Sequence, residues 1–245
     1  AGVITFFGAL ATATVAAAGS AVGIIVLGTF IGFFFYTTSI VVAPLISTLV
    51  NLDSSPRMDY GELNFDCGID AGAEILVEAG SYPVTKKLLV GSGRTGLCIT
   101  PTKIAIHWSG GWTNNDATYA TLVSRGLSCQ IGTDQDGSVQ QWQQMWEHKA
   151  ELAWCVGGNE NNYCLNNEMV GAYFIPPGSA PTTPNDKAPS EDEIKSSINS
   201  TCFMMKQYNI PSSQIFGHYQ LHPGKPDPGV EFLAYFINRV KKECP

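Results

Sequence analysis

Not one of the first 52 residues carries a charge, so all 14 Lys and Arg and all 21 Asp and Glu fall in the remainder of the 245-residue chain. A helix that crosses a bilayer needs about 20 apolar residues. This head is therefore long enough for one long membrane helix or two short ones, 3–18 and 21–36, with Gly19-Ser20 as the break and Pro44 kinking or ending the second. A cleavable signal peptide fits poorly, because no basic segment precedes the apolar run. Gly19 and Gly23, then Gly28 and Gly32, stand four apart, the small-residue spacing that lets membrane helices approach closely. The expected partners of the head are a membrane, through residues 1–52, and other copies of itself.

From Asp53 onward the composition is that of an ordinary soluble domain. The net charge of −7 and the presence of only two adjacent basic pairs, Lys86-Lys87 and Lys241-Lys242, argue against a nucleic-acid surface, which needs clustered Lys and Arg. The seven cysteines include no CxxC pair, so disulfides in an exported domain are expected rather than a zinc ribbon. An odd number leaves at least one unpaired within the chain. Cys67 and Cys98 could pin the region before the main domain, Cys155 and Cys164 could close a short loop, and Cys202 and Cys244 could join two C-terminal helices.

Residues 53–100 read as a connecting region, with short strands at 74–78 and 84–90 and turns at Gly80-Ser81-Tyr82-Pro83 and Gly91-Ser92-Gly93. The stretch Lys103-Ile104-Ala105-Ile106-His107-Trp108 is a buried strand that ends in the Gly110-Gly111 turn. Thr113 or Asn114 caps a helix running to about Arg125 that buries Ala117, Ala120, Leu122 and Val123. Two strands flank Asp136-Gly137, a strong hairpin signal. A further strand is expected at 169–174, with Glu168 at its mouth. The five prolines between 175 and 190 exclude helix and central strand. Ser190 and Glu193 then form a capping box for a helix whose Ile194, Ile198, Cys202 and Met205 share a face. A short strand at Ile215-Phe216 and a last amphipathic helix with Leu233, Phe236, Ile237 and Val240 close the order. The fold class is α/β, a mixed central sheet flanked by helices, preceded by a hydrophobic transmembrane segment.

Between the short strand and the last helix lies Gly217-His218-Tyr219-Gln220-Leu221-His222-Pro223-Gly224-Lys225-Pro226-Asp227-Pro228-Gly229. Its three prolines remove backbone freedom and could hold metal ligands in fixed directions. Asp227-Pro228 is equally a helix start, with Asp as cap and Pro at the first position.

Taken together, Ile104-Ala105-Ile106-His107, the Asp136-Gly137 hairpin, Trp154 with Gly157, the 167–174 segment around Gly171 and the Gly-His…Pro-Gly-Lys-x-Asp-Pro-Gly loop resemble the zinc-dependent N-acetylmuramoyl-L-alanine amidases of the type 2 class. These share their fold with peptidoglycan-recognition proteins, and the likeness spans about residues 100–243. It says nothing of residues 1–99; with the uncharged head and the connecting region read above, the expected organisation is a membrane segment 1–52, a connecting region 53–100 and an amidase domain 101–245. The likeness implies a zinc amidase for the last of these. It also implies that His107, His218 and Asp227 bind Zn²⁺, leaving a fourth position for water, and that Lys225 stabilises the oxyanion. The implied substrate is peptidoglycan, cut between N-acetylmuramic acid and L-alanine outside the cytoplasm; a noncatalytic muropeptide-binding module and a structural subunit displaying an amidase-like domain are the alternatives. The chain departs from the family in placing Cys129-Gln130 where others have Tyr-His, and Cys155 where many have His in Trp-His-x-Gly. Many members carry an acid two residues after a strand glycine to handle the water's proton. Alignment on Gly171 puts Tyr173 there, with Glu168 nearby.

Overall fold

A computed structural model of the chain describes Cys67 and residues 69–244. The expected membrane segment 1–52 lies outside the described residues. No helix among the described residues is long and apolar enough to cross a membrane.

The elements follow in the order β1 (Val84–Lys86), β2 (Cys98–Ile99), β3 (Lys103–Trp108), α1 (Asn115–Arg125), β4 (Ile131–Thr133), β5 (Val139–Gln141), β6 (Ala150–Glu151), β7 (Cys164–Met169), α2 (Glu191–Tyr208), β8 (Ile215–Gly217), α3 (His218–Leu221) and α4 (Val230–Glu243). Six strands make one sheet in the order β1-β5-β4-β7-β3-β8, and β2 pairs with β6 in a separate two-stranded ribbon. The sheet is mixed: β4 and β5 are antiparallel across the Asp136-Gly137 turn, and the other pairings are parallel.

Strand alternation sorts the side chains onto two faces. Ile104 and Ile106 of β3, Leu165 and Met169 of β7 and Ile131 of β4 enter the main core with Ile194, Ile198 and Met204 of α2 and Phe232, Phe236 and Val240 of α4. Burying each of the larger of these side chains contributes roughly 1.5–3 kcal/mol. The other face of β3 carries Ala105 and His107, which stand in register with Asn166 and Glu168 of β7. There Leu122 of α1 packs with Leu89, Cys129 and Trp142 in a second, smaller core.

The helix ends follow their capping chemistry. The Asn114 side chain accepts from the Ala117 amide at 2.8 Å, and Gly126, at φ 62°, ends α1. The buried positions of α1 are Asn115, Thr118 and Leu122; Ala117 and Ala120, expected inside, are exposed, and Val123 is half-buried. Ser190 caps α2 by accepting from the Glu193 amide at 3.0 Å. The Glu193 carboxylate turns inward and accepts from Gln135 Nε2 at 2.6 Å, and the Ser190 backbone amide acts on it as well. Asn209 ends the helix in the left-handed conformation.

Several expectations need correcting. The strand expected at 169–174 lies at Cys164–Met169. Its three polar residues Asn166, Asn167 and Glu168 are fully or almost fully buried, which disguises a central strand as a loop. Segment 74–78 contributes one isolated bridge, Glu74 to Trp146, in place of a strand. The connecting region nevertheless supplies the edge strand β1, parallel to β5. Cys155 does not bond Cys164. The disulfides are Cys67–Cys98, Cys129–Cys155 and Cys202–Cys244, and Cys164 is a buried free thiol. Asp227-Pro228 does not start the last helix, which begins at Val230 after Gly229.

Candidate metal centre

His107 sits near the end of β3, His218 begins α3 directly after β8, and Asp227 follows in the proline-rich loop. Parallel pairing of β3 with β8 aligns Ile106 with Gly217, so the residues that follow each strand position emerge side by side. The amide of Tyr219 donates to the Asp227 carbonyl at 3.0 Å, folding the loop back until the Asp227 carboxylate faces both imidazoles. His107 Nδ1 and His218 Nδ1 are 3.0 Å apart, and Asp227 Oδ2 is 3.0 Å from His218 Nδ1 and 3.3 Å from His107 Nδ1. All three residues are buried, at 2, 5 and 5 % exposure.

The tautomers follow from what the outer ring nitrogens meet. His218 Nε2 lies 2.9 Å from the Val156 carbonyl, which can only accept, so Nε2 carries the proton. His107 Nε2 lies 3.0 Å from Asn166 Oδ1. The Asn166 amide group cannot be reversed, because its Nδ2 donates to Gln130 Oε1 at 2.8 Å and to the Cys164 carbonyl at 3.2 Å. Gln130 is fixed in turn by donating to the Glu151 carbonyl at 2.9 Å. Both Nδ1 atoms therefore direct lone pairs at the same point as an Asp227 carboxylate oxygen.

Three converging lone pairs repel unless a cation lies among them. The separations of 3.0–3.3 Å are close to the edge of about 3.3–3.4 Å that a tetrahedron with arms of about 2.0–2.1 Å requires. The donor set thus fits a divalent ion such as Zn²⁺. Burial holds His107 below its usual pKa, against the pull of Asp227. A second group of donors, His107, Cys155 and Glu168, also brings its ligand atoms within 4.8 Å of one another. Cys155 is bonded to Cys129, and a disulfide sulfur has no thiolate to offer.

Glu168 stands opposite His107 in the β3–β7 register, inside the strand and not at its mouth. It is 8 % exposed. Its Oε2 contacts the Cys129 and Cys155 sulfurs at 3.3 and 3.8 Å, neither of which carries a proton to donate once they are bonded. Burial, reinforced by the charge of Asp227, pushes the Glu168 carboxyl well above its usual pKa, and Lys225 opposes that shift. Lys225 itself is on the exposed rim. Tyr173 is 51 % exposed and packs beside Trp108 at 5.4 Å between ring centroids. Of the two residues the alignment left open, Glu168 is the one facing His107.

The positioning roles of Asn166, Gln130 and the Val156 carbonyl were not read from the sequence, where Gln130 stood out only as a departure from the family. The available signal was the pair Asn166-Asn167 in a stretch otherwise suited to a buried strand. His222, without an assigned role, donates from Nδ1 to the Pro223 carbonyl at 3.0 Å and lies against Gly157. Gly157 has φ 98°, and a Cβ there would come within 2.7 Å of the His222 ring.

Among solved structures, the chain is similar to PlyL (19 % identity, TM-score 0.48, covering 64 % of this chain and 96 % of that one). It is also similar to the endolysin N-acetylmuramoyl-L-alanine amidase LysCS from Clostridium intestinale URNW (14 %, 0.46, 66 % and 99 %). A selenomethionine AmpD derivative gives 16 %, 0.47, 68 % and 98 %. No curated protein matches. The family pattern described as N-acetylmuramoyl-L-alanine amidase, Amidase_2, matches residues 99–230, more than half of the chain and the whole span from β3 to the Asp227 loop. The chain belongs to this N-acetylmuramoyl-L-alanine amidase family.

Proposed function

We propose that the chain is a zinc-dependent peptidoglycan hydrolase that cuts the amide between the lactyl group of N-acetylmuramic acid and L-alanine. The observation that carries this reading is the convergence of His107 Nδ1, His218 Nδ1 and Asp227 Oδ2, with both outer nitrogens already committed to acceptors. These three atoms would hold the ion. When bound, Zn²⁺ supplies Lewis acidity and makes water nucleophilic near neutral pH.

The protein's own groups do the rest. Asn166 and the Val156 carbonyl hold the two imidazoles in the ligating tautomer. Glu168, free of N–H and O–H donors among the described residues, takes the proton of the attacking water at its carboxylate and returns it to the departing L-alanine nitrogen. Burial raises its affinity for that proton. Lys225 brings positive charge to the oxygen of the tetrahedral intermediate, an effect of about 3 kcal/mol at comparable sites. We further propose that the uncharged head, residues 1–52, anchors the protein in a membrane with this domain outside the cytoplasm, and that its small residues support self-association.

Digestion of purified muropeptides tests the reading. Free stem peptide should appear with zinc, disappear with a chelator and fall by about 10²–10⁴-fold in Glu168→Gln, while that variant keeps its metal. A wild-type protein that binds muropeptides but releases no peptide in the presence of zinc is a recognition module, and the enzyme reading fails.

A further inference from the structure

Cys129 and Cys155, two positions at which the chain departs from its family, are bonded to each other. Their disulfide forms a wall of the metal centre. Cys129 Sγ is 3.3 Å and Cys155 Sγ 3.8 Å from Glu168 Oε2. Cys155 Sγ, a His107 ring nitrogen and a Glu168 oxygen all lie within 4.8 Å of one another. Two potential ligand sets thus share one imidazole. His218 and Asp227 complete the first, and the second lacks only a thiolate. Cys129 is 1 % exposed, whereas Cys155 is half-buried, so Cys155 is the more accessible of the two residues.

We propose that the Cys129–Cys155 disulfide gates a second metal site, in which a freed Cys155 thiolate joins His107 and Glu168 to bind a thiophilic divalent cation. The inference rests on reading His107 as a metal ligand. The step requires a dithiol reductant. One of its thiolates bonds to Cys155 Sγ, the S–S bond breaks, and the electron pair leaves on Cys129 Sγ, which takes up a proton. The second thiol of the reductant then displaces Cys155 as a thiolate. The reductant ends as a disulfide, and the protein has gained two electrons. Soft thiolate ligands hold Zn²⁺ and Co²⁺ well. Glu168, once a ligand, no longer carries the water's proton. The reduced protein therefore keeps its metal and loses hydrolysis, which makes the disulfide a redox gate on the centre.

Cobalt substitution distinguishes the two sets. Oxidised wild type loaded with Co²⁺ should show visible d–d bands without a sulfur-to-cobalt charge-transfer band. After reduction with a dithiol, that band should appear, and muropeptide cleavage by the zinc form should fall at least about tenfold. Because a dithiol also reaches the other disulfides, Cys129→Ser provides a separate route, as it frees Cys155 without reductant and should show the band from the outset. Cys155→Ser should show none under either condition. Visible cobalt bands with no charge-transfer band in both reduced wild type and Cys129→Ser overturn the gate and leave the first ligand set standing. A band that persists in Cys155→Ser assigns the sulfur to Cys129, which that variant frees beside Glu168, or to Cys164, and also overturns it. An absence of d–d bands in oxidised wild type refutes the first ligand set itself.

Discussion

In the proposed zinc site, Asn166 acts on the ion through His107 without touching it. Its Oδ1 accepts from His107 Nε2, and two further hydrogen bonds fix which way the amide points. Replacing it with alanine frees the His107 ring to rotate and to change tautomer. Asn166→Ala should weaken zinc binding by about 10–100-fold, measured by competition with a chromogenic chelator, with little loss of helix signal. Glu193 illustrates a different cost. Burial raises its pKa from 4.5 to about 9, and its Oε1 has no partner among the described residues. Between about pH 4.5 and 9 the folded chain holds a proton there that the unfolded chain has lost, so this group's contribution to stability falls as pH rises through that window. Glu193→Gln keeps an acceptor for Gln135 without the charge. Its melting temperature should exceed that of wild type at pH 8, by the equivalent of at least about 1 kcal/mol, and the two should converge near pH 4.5. Neither role can be read from one sequence, because both depend on which strand neighbour a side chain faces.

At the scale of elements, the Cys202–Cys244 disulfide joins α2 to the end of α4 across 42 residues. In the chain-entropy account, a loop of that length stabilises the fold by about 4 kcal/mol. The double variant Cys202→Ser/Cys244→Ser should lose about 2–4 kcal/mol in urea unfolding while keeping its metal, since neither helix supplies a ligand. The elements themselves were legible where local chemistry sets them. Asn114 and Ser190 cap the helices expected from them, Asp136-Gly137 makes its hairpin, and Ile104 to His107 form the buried strand. Legibility failed at β7. Asn166, Asn167 and Glu168 look like a loop, and what keeps them in a central strand is non-local: Gln130 for Asn166, Ser197 for Asn167 and the disulfide wall beside Glu168. The same strand places Glu168 opposite His107, a neighbour that alignment on Gly171 could not show. The pairing of Cys129 with Cys155 was hidden for a related reason, since the two residues approach only once β4 has joined the sheet and the 154–157 segment has folded back beside Ser128.

Across the whole molecule, an uncharged head is followed by a family domain whose proposed catalytic parts come from three separated places in the chain. His107 lies in β3, Glu168 lies in β7, and His218, Lys225 and Asp227 follow β8. The parallel strands β7, β3 and β8 are neighbours in the sheet, so this topology brings residues more than a hundred positions apart to one end of the fold. The loop 217–229 was ambiguous in isolation, suited equally to a metal site and to a helix start. Its geometry separates these roles, because Gly229 precedes the helix and the Asp227 carboxylate faces the histidines. The most direct test of the account is the zinc content per chain of wild type and Asp227→Ala after chelator treatment, reloading and removal of loose metal. The account predicts one tightly held ion in wild type and little or none in Asp227→Ala. A wild type that retains no zinc, or a variant that holds it as tightly as wild type, would contradict it.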